Sequence, residues 1–171
     1  MSETPRLLLI SVSMPKVRDR IAESFDVVEL PSEGVDAFLA EHGAGIVAVA
    51  TFAGIKPNVM AALPDLKVIS SFGVGYDSID ANEAARRGIL VGHTPDVLND
   101  EVADTTIMLW LATSKHLVQG DAWARSGQWE EKGNYPLTKS VRNRTVGILG
   151  LGRIGQTIAE MATMFDANVI Y

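Results

Sequence analysis

Thr145-Val-Gly-Ile-Leu-Gly-Leu-Gly-Arg-Ile-Gly-Gln156 is the stretch on which the reading of the fold turns. Val146, Ile148 and Leu149 predict a strand buried on both faces, since a sheet covered on both sides selects apolar and β-branched residues. Gly150, Gly152 and Gly155 follow in G-x-G-x-x-G spacing. The first glycine permits a tight turn, the second lets a ligand's pyrophosphate approach the backbone, and the third lets helix and strand pack closely. Beyond the turn, Ile154, Ile158, Met161, Ala162 and Phe165 recur at helical spacing and mark one buried face. The free N–H groups and dipole of such a helix face the phosphates, and each favourable charge contact there contributes roughly 0.3–1 kcal/mol. Ala167–Tyr171 reads as the next strand. A glycine-rich surface loop is the plain alternative, but strand, turn, helix and second strand stand in the order a dinucleotide site needs. The residue that would read the adenosine ribose is expected about 20 residues after the fingerprint, which falls past Tyr171.

A length of 171 residues with 47% hydrophobic content suffices for one domain or two small ones. A formal charge of -6 argues against a nucleic-acid footprint or an anionic membrane surface as partner. No cysteine is present, which excludes disulfides, thiolate metal sites and cysteine nucleophiles. The start, Met-Ser-Glu-Thr-Pro-Arg6, lacks the basic and apolar regions of a signal peptide. The longest apolar run, Ile107–Ala112, is far short of the ~20 residues a membrane span needs. A soluble, cytoplasmic protein is expected.

From the N-terminus, strands are predicted at Arg6–Val12, Phe25–Leu30, Ile46–Ala50, Leu66–Phe72 and Ile89–Val91. Helices are predicted between them: Lys16–Ser24 opened by Pro15, Glu33–Glu41 capped by Ser32 and ended by Gly43, a short one after Pro57, and one from Asp80 to Arg87. Alternating strands and helices predict a parallel sheet with helices on both faces, a flavodoxin-like α/β unit. Thr94–Asn99 breaks the alternation and reads as a hinge. A long helix capped by Asn99 or Asp100 follows, and its apolar segment Ile107–Ala112 predicts burial on more than one side, within the monomer or against a second subunit. Gln119–Arg144 reads as an extended, loop-rich arm.

Ser71-Phe-Gly-Val-Gly-Tyr-Asp77 lies at the C-terminal end of the fourth strand, the edge where open α/β sheets hold ligands. Gly73 and Gly75 expose backbone N–H groups able to bind a small anion such as a carboxylate, although an ordinary strand-to-helix turn has the same composition. His42, His93 and His116 have no metal-ligand spacing and read as structural or exposed. Thr138-Lys-Ser140 lacks the glycines of a P-loop, and no G-x-S-x-G is present. Asp100, Glu101 and Asp104 crowd a helix start, where the dipole accounts for them.

Val146–Gly155 resembles the dinucleotide signature of the D-isomer-specific 2-hydroxyacid dehydrogenases. Phe72–Asp77, Thr94–Leu98 and Val102–Asp104 support the resemblance at the expected distances upstream. Gly92–Leu98, the Trp129 segment and Pro136–Thr138 resemble the glyoxylate/hydroxypyruvate reductase branch most closely. The resemblance implies a flavodoxin-like substrate domain over residues 1–98. Over residues 99–171 it implies a dimerisation helix and arm, then the first, truncated part of an NAD(P)-binding Rossmann domain. It further implies that Val74 and Gly75 hold the substrate carboxylate, with Phe52 lining the same cleft. Gly150, Gly152, Arg153, Ile154 and Gly155 would hold the pyrophosphate of NADP or NAD, with NADP favoured, and Val102 would lie near the nicotinamide. Val74 weighs against the phosphite-oxidising branch, which has a lysine there; His93 departs from the polar or aromatic residue usual before Thr-Pro and carries no assigned function.

In the family a catalytic arginine, glutamate and histidine lie beyond the second nucleotide-binding strand, so none of the three is expected on this chain. The expected activity is reduction of a small 2-oxo acid, glyoxylate or hydroxypyruvate, to the D-2-hydroxy acid by a homodimer. A non-catalytic dinucleotide-sensing dimerisation module, as in the family's co-repressor relatives, is the alternative.

Overall fold

Leu7, Leu8, Leu9 and Ile10 are all buried in the first strand, β1 (Arg6–Ile10). Their side chains alternate: Leu8 and Ile10 enter one apolar cluster, Leu7 and Leu9 another on the opposite face. The computed structural model describes residues 4–11 and 14–171. Val12, the expected end of this strand, lies outside the described residues. The chain divides into two compact units, residues 1–97 and 98–171.

The first unit continues with α1 (Pro15–Ala22), β2 (Asp26–Glu29), α2 (Val35–His42), β3 (Ile46–Thr51), α3 (Pro57–Ala61), β4 (Val68–Ser71), α4 (Ala81–Arg86) and β5 (Leu90–Gly92). Its strands form one parallel sheet in the order β2-β1-β3-β4-β5. The order reverses between β1 and β3, and every strand ends at the same sheet edge. In β3, Ile46 shares a cluster with Val49 although an odd spacing separates them. The β1–β3 ladder passes from Arg6↔Ile46 to Leu7↔Ala48, and the skipped Val47 turns the following residues over.

Helix signals fared unevenly. Pro15 and Pro57 open their helices, and the Asp80 side chain accepts from Glu83 N–H at 2.9 Å. Ser32 does not cap α2. The helix starts at Val35 behind Gly34, whose φ of 66° brings the chain in left-handed, with no side-chain cap. Gly43 ends α2 with φ -68°, so it is required by space: a Cβ there would stand 2.5 Å from Leu39 O and 2.6 Å from Ala62 O.

The second unit holds α5 (Asn99–Ser114), α6 (Leu117–Arg125), α7 (Gln128–Lys132), β6 (Thr145–Gly147), α8 (Arg153–Thr163) and β7 (Asn168–Ile170), with β6 and β7 a parallel pair. Three expectations are corrected here. The segment expected as a loop-rich arm is helical in α6 and α7, because its aromatic residues build a local cluster. Trp123 Nε1 donates to Gly133 O at 2.9 Å, and Tyr135 stands edge-on to Trp123 with centroids 5.7 Å apart. The long helix is capped by neither Asn99 nor Asp100 but starts at Asn99 behind Leu98; within this chain α5 packs through Ala103 and Ile107. Trp110 meets Phe165 at 5.4 Å, whereas Met108 and Leu109 remain 56% and 55% exposed. The third correction concerns the glycine-turn strand. It stops at Gly147, its Val146 is half-buried rather than covered on both faces, and Leu149 is fully exposed in the turn. A two-stranded ladder leaves a face and an edge without neighbours.

Among the described residues, no helix is long and apolar enough to cross a membrane. Leu8→Ala is expected to lower the stability of the first unit by about 2–5 kcal/mol, read as lost hydrogen-exchange protection of the β1 and β3 amides. Lys16→Ala, exposed on α1, should change that protection by under about 0.5 kcal/mol.

Candidate functional site

Three strand ends converge at one edge of the first unit. At the end of β3, Thr51 is buried and its hydroxyl donates to Gly54 O at 2.7 Å, with Phe52 exposed beside it. Past β4, Phe72 N–H donates to Thr51 O at 2.8 Å, and the loop Phe72–Asp77 begins. The Phe52 and Phe72 rings lie 6.0 Å apart and are 57% and 44% exposed. Past β5, Thr94 N–H donates to Gly73 O at 3.1 Å, and Thr94 Oγ1 donates to Phe72 O at 2.9 Å. His93 Nδ1 stands 2.8 Å from Val74 O.

The loop presents backbone donors, with one correction to the expectation. Gly73 N–H is taken internally by Ser71 Oγ at 3.2 Å. Among the described residues no hydrogen bond occupies the N–H of Val74 or Gly75. The donors open to a ligand are therefore Val74 and Gly75, on an edge they share with Phe52. Two adjacent amides of this kind bind an anion by direction rather than by net charge.

The glycine turn of the second unit is built as its spacing requires. Gly150 has φ +97°, a conformation that side chains resist. A Cβ on Gly155 would collide with Gly150 O, so this glycine allows α8 to sit against the turn. A Cβ on Gly152 would meet nothing within 4 Å, which leaves that side of the turn open. The first backbone bond of α8 runs from Gln156 N–H to Gly152 O at 2.9 Å, so the amides of Ile154 and Gly155 lack an intrahelical acceptor. Arg153 is exposed at the first position of α8, and Ile154 is half-buried. Val102 occupies the first turn of α5, 37% exposed; among the described residues no hydrogen bond links it to the glycine turn.

A cleft of about 680 Å³ also opens in the first unit, at the ends of β1, β2 and β3, lined in part by Ser32, Asp36, Lys56 and Asn58. Volume does not make it the better candidate. Its acid and amide are turned on each other, Asn58 Nδ2 to Asp36 Oδ1 at 3.2 Å, and it includes neither Val74 nor Gly75. Among the described residues no group of His, Asp and Glu is arranged to hold a metal ion. Sequence reasoning missed the part played by His93. It faces a carbonyl 19 residues away, and no periodicity or local motif signals such a contact.

The sequence pattern of the family described as D-isomer specific 2-hydroxyacid dehydrogenase, catalytic domain, matches residues 8–169. The chain belongs to that family. It is 44% identical to the glyoxylate reductase of Pyrococcus horikoshii over 122 residues, which cover 68% of this chain and 36% of that protein. It is 37% identical to the 2-ketogluconate reductase of Gluconobacter oxydans, over 100% of this chain and 54% of that protein. Among solved structures, it resembles the NADPH-dependent glyoxylate/hydroxypyruvate reductase of Sinorhizobium meliloti in complex with NADP and malonate. The TM-score is 0.84 at 39% identity, covering 99% of this chain and 53% of that one. The chain thus spans about half, or less, of the length of these relatives.

The glycine geometry separates two kinds of substitution. Gly155→Ala is expected to push α8 off the turn and lower the thermal unfolding midpoint, while Gly152→Ala, with open space around it, should leave the midpoint within a degree or so of the unsubstituted protein (about 0.5 kcal/mol or less). Equal effects of the two in differential scanning calorimetry would count against this account of the turn.

Proposed function

We propose that this chain is the N-terminal part of an NAD(P)-dependent D-2-hydroxyacid dehydrogenase that reduces glyoxylate or hydroxypyruvate. The observation that carries the reading is the pair of open amides, Val74 and Gly75, at a sheet edge in a chain that also holds the glycine turn. On this reading residues 1–98 are a flavodoxin-like substrate domain. Residues 99–171 then hold the dimerisation helix, its arm and the start of a Rossmann domain. Val74 and Gly75 donate to the substrate carboxylate, and the Phe52 ring walls the same cleft and keeps water from it.

The second unit fits the dinucleotide on its own geometry. The side of the turn left open at Gly152 admits a pyrophosphate, and the amides of Ile154 and Gly155 donate to it, with Arg153 supplying charge and Val102 nearer the nicotinamide. When bound, the nicotinamide supplies the hydride for the 2-oxo carbon. NADP is favoured because the Sinorhizobium meliloti relative is NADPH-dependent and was solved with NADP. On the same reading, the arginine, histidine and glutamate that such chemistry uses to orient the oxo acid and deliver a proton come from outside residues 1–171. The exposed apolar side of α5, with Met108 and Leu109, supports a homodimer.

The full-length protein is expected to oxidise NADPH when given glyoxylate or hydroxypyruvate, followed as loss of reduced-nicotinamide absorbance. No oxidation with either, nor with several other 2-oxo acids, would overturn the reading and favour a dinucleotide-sensing module, whose sign would be a change of oligomeric state on NAD(H) binding without turnover. Gly152→Val should leave the fold intact yet weaken dinucleotide binding at least about ten-fold, ~1.4 kcal/mol, in a fluorescence titration.

A further inference from the structure

The two open amides are held in place from the opposite side of their own peptide groups. A trans peptide unit is planar, so its C=O and N–H point in opposite directions, and fixing one fixes the other. No cis peptide occurs among the described residues. Val74 N–H shares its unit with Gly73 C=O, and that carbonyl accepts from Thr94 N–H at 3.1 Å. Gly75 N–H shares its unit with Val74 C=O, and that carbonyl faces His93 Nδ1 at 2.8 Å. One amide is therefore anchored by backbone, which any residue at position 94 except proline provides. The other is anchored by a single side chain.

We propose that His93 is a positioning residue for the substrate carboxylate: its Nδ1–H holds the Val74–Gly75 peptide plane and so aims Gly75 N–H at the ligand. The proposal rests on the reading of Val74 and Gly75 as the carboxylate site. A carbonyl oxygen can only accept, so Nδ1 carries the hydrogen, and a neutral ring is the Nδ1–H tautomer. The ring is half-buried and stands edge-on to Tyr76, centroids 5.0 Å apart at 63°, which fixes its plane. Its backbone follows directly on β5, whose Gly92 pairs with Ser70 of β4. An anchor matters here because glycine at 75 leaves the plane free to turn about its own φ. A donor on the carbonyl also polarises the shared amide and strengthens the N–H on its far side. The chemistry recognised is a carboxylate adjoining a 2-oxo carbon.

The test uses the full-length protein and oxalate, an unreactive two-carbon stand-in for a 2-oxo acid. His93→Phe keeps a ring against Tyr76 and removes the donor. His93→Asn places Nδ2 the same number of bonds from Cα as Nδ1 and restores it. Oxalate is expected to shift the Gly75 amide resonance of the unsubstituted protein. His93→Phe should weaken oxalate binding about three- to ten-fold, the worth of one hydrogen bond, and raise KM for the oxo acid with little change in dinucleotide affinity. His93→Asn should bind nearly as the unsubstituted protein does. If the Gly75 resonance shifts but His93→Phe binds oxalate equally well, or if His93→Asn fails as badly as His93→Phe, the positioning role is overturned while the carboxylate site stands. If oxalate leaves Gly75 unmoved in the unsubstituted protein, the carboxylate site falls and the proposal with it. Independently of any variant, nitrogen-15 spectra of the neutral His93 ring should show the Nδ1–H tautomer; the Nε2–H tautomer would overturn the proposal.

Discussion

Leu7, Leu8, Leu9 and Ile10 give up water on both sides of one strand, two to each face, and the rest of the first unit depends on that double burial. A strand so placed must be central, must be covered by helices above and below, and is most readily joined to parallel neighbours by crossover connections. Parallel neighbours all end at the same edge. The residues that follow β3, β4 and β5 are thereby delivered to one place without further instruction: Phe52, the Phe72–Asp77 loop, then His93 and Thr94. The site is a consequence of the core before it is a feature of any loop.

On the proposed reading, that edge binds an anion by direction in place of charge. Asp77 lies close enough to Gly75 that a Cβ there would meet its Oδ2 at 3.1 Å, and a carboxylate so near opposes an anionic ligand. On the proposed reading, the Val74 and Gly75 amides offset it, since donors held in place cost no reorganisation when a ligand arrives. Aim is then the property that must be protected. This explains why the carbonyls of Phe72, Gly73 and Val74 are each held from the end of β5, the first two by Thr94 and the third by His93. The glycine turn of the second unit reaches a comparable end by exclusion of side chains, with one glycine for dihedral freedom, one for helix packing and one for open approach.

What could be read from the amino-acid order was what has a period or a local cause. The buried strands, the prolines at helix starts, the Asp80 cap and the glycine turn all follow from contacts within a few residues. Ser32 misled because a serine before a helix is a good cap only when the backbone enters from an extended conformation; here Gly34 brings the chain in left-handed. The arm misled because its helices are stabilised by Trp123 and Tyr135 gathering on Gly133 and His116, a cluster without an amphipathic stripe. Among the residues proposed for the site, Phe52, Val74, Gly75 and the three turn glycines were named from the family resemblance, and the structure shows where they stand, not what they bind. His93 was not among them, since its value lies in a carbonyl brought to it by the β4–β5 pairing.

Helix α5 carries the remaining physical tension. Its segment Ile107–Ala112 is apolar around the whole circumference, yet α8 covers one side, leaving Met108 and Leu109 more than half exposed. Leu117 and Val118 at the start of α6 are exposed as well, at 61% and 75%. Scattered apolar residues on a surface need no explanation, but Met108 and Leu117 line one shared apolar groove with Ile107, Leu111 and Met161. Such a face is stable when something apolar lies on it. In the proposed homodimer the covering surface would be the same face of a second copy, with one side of α5 for its own unit and the other for its partner.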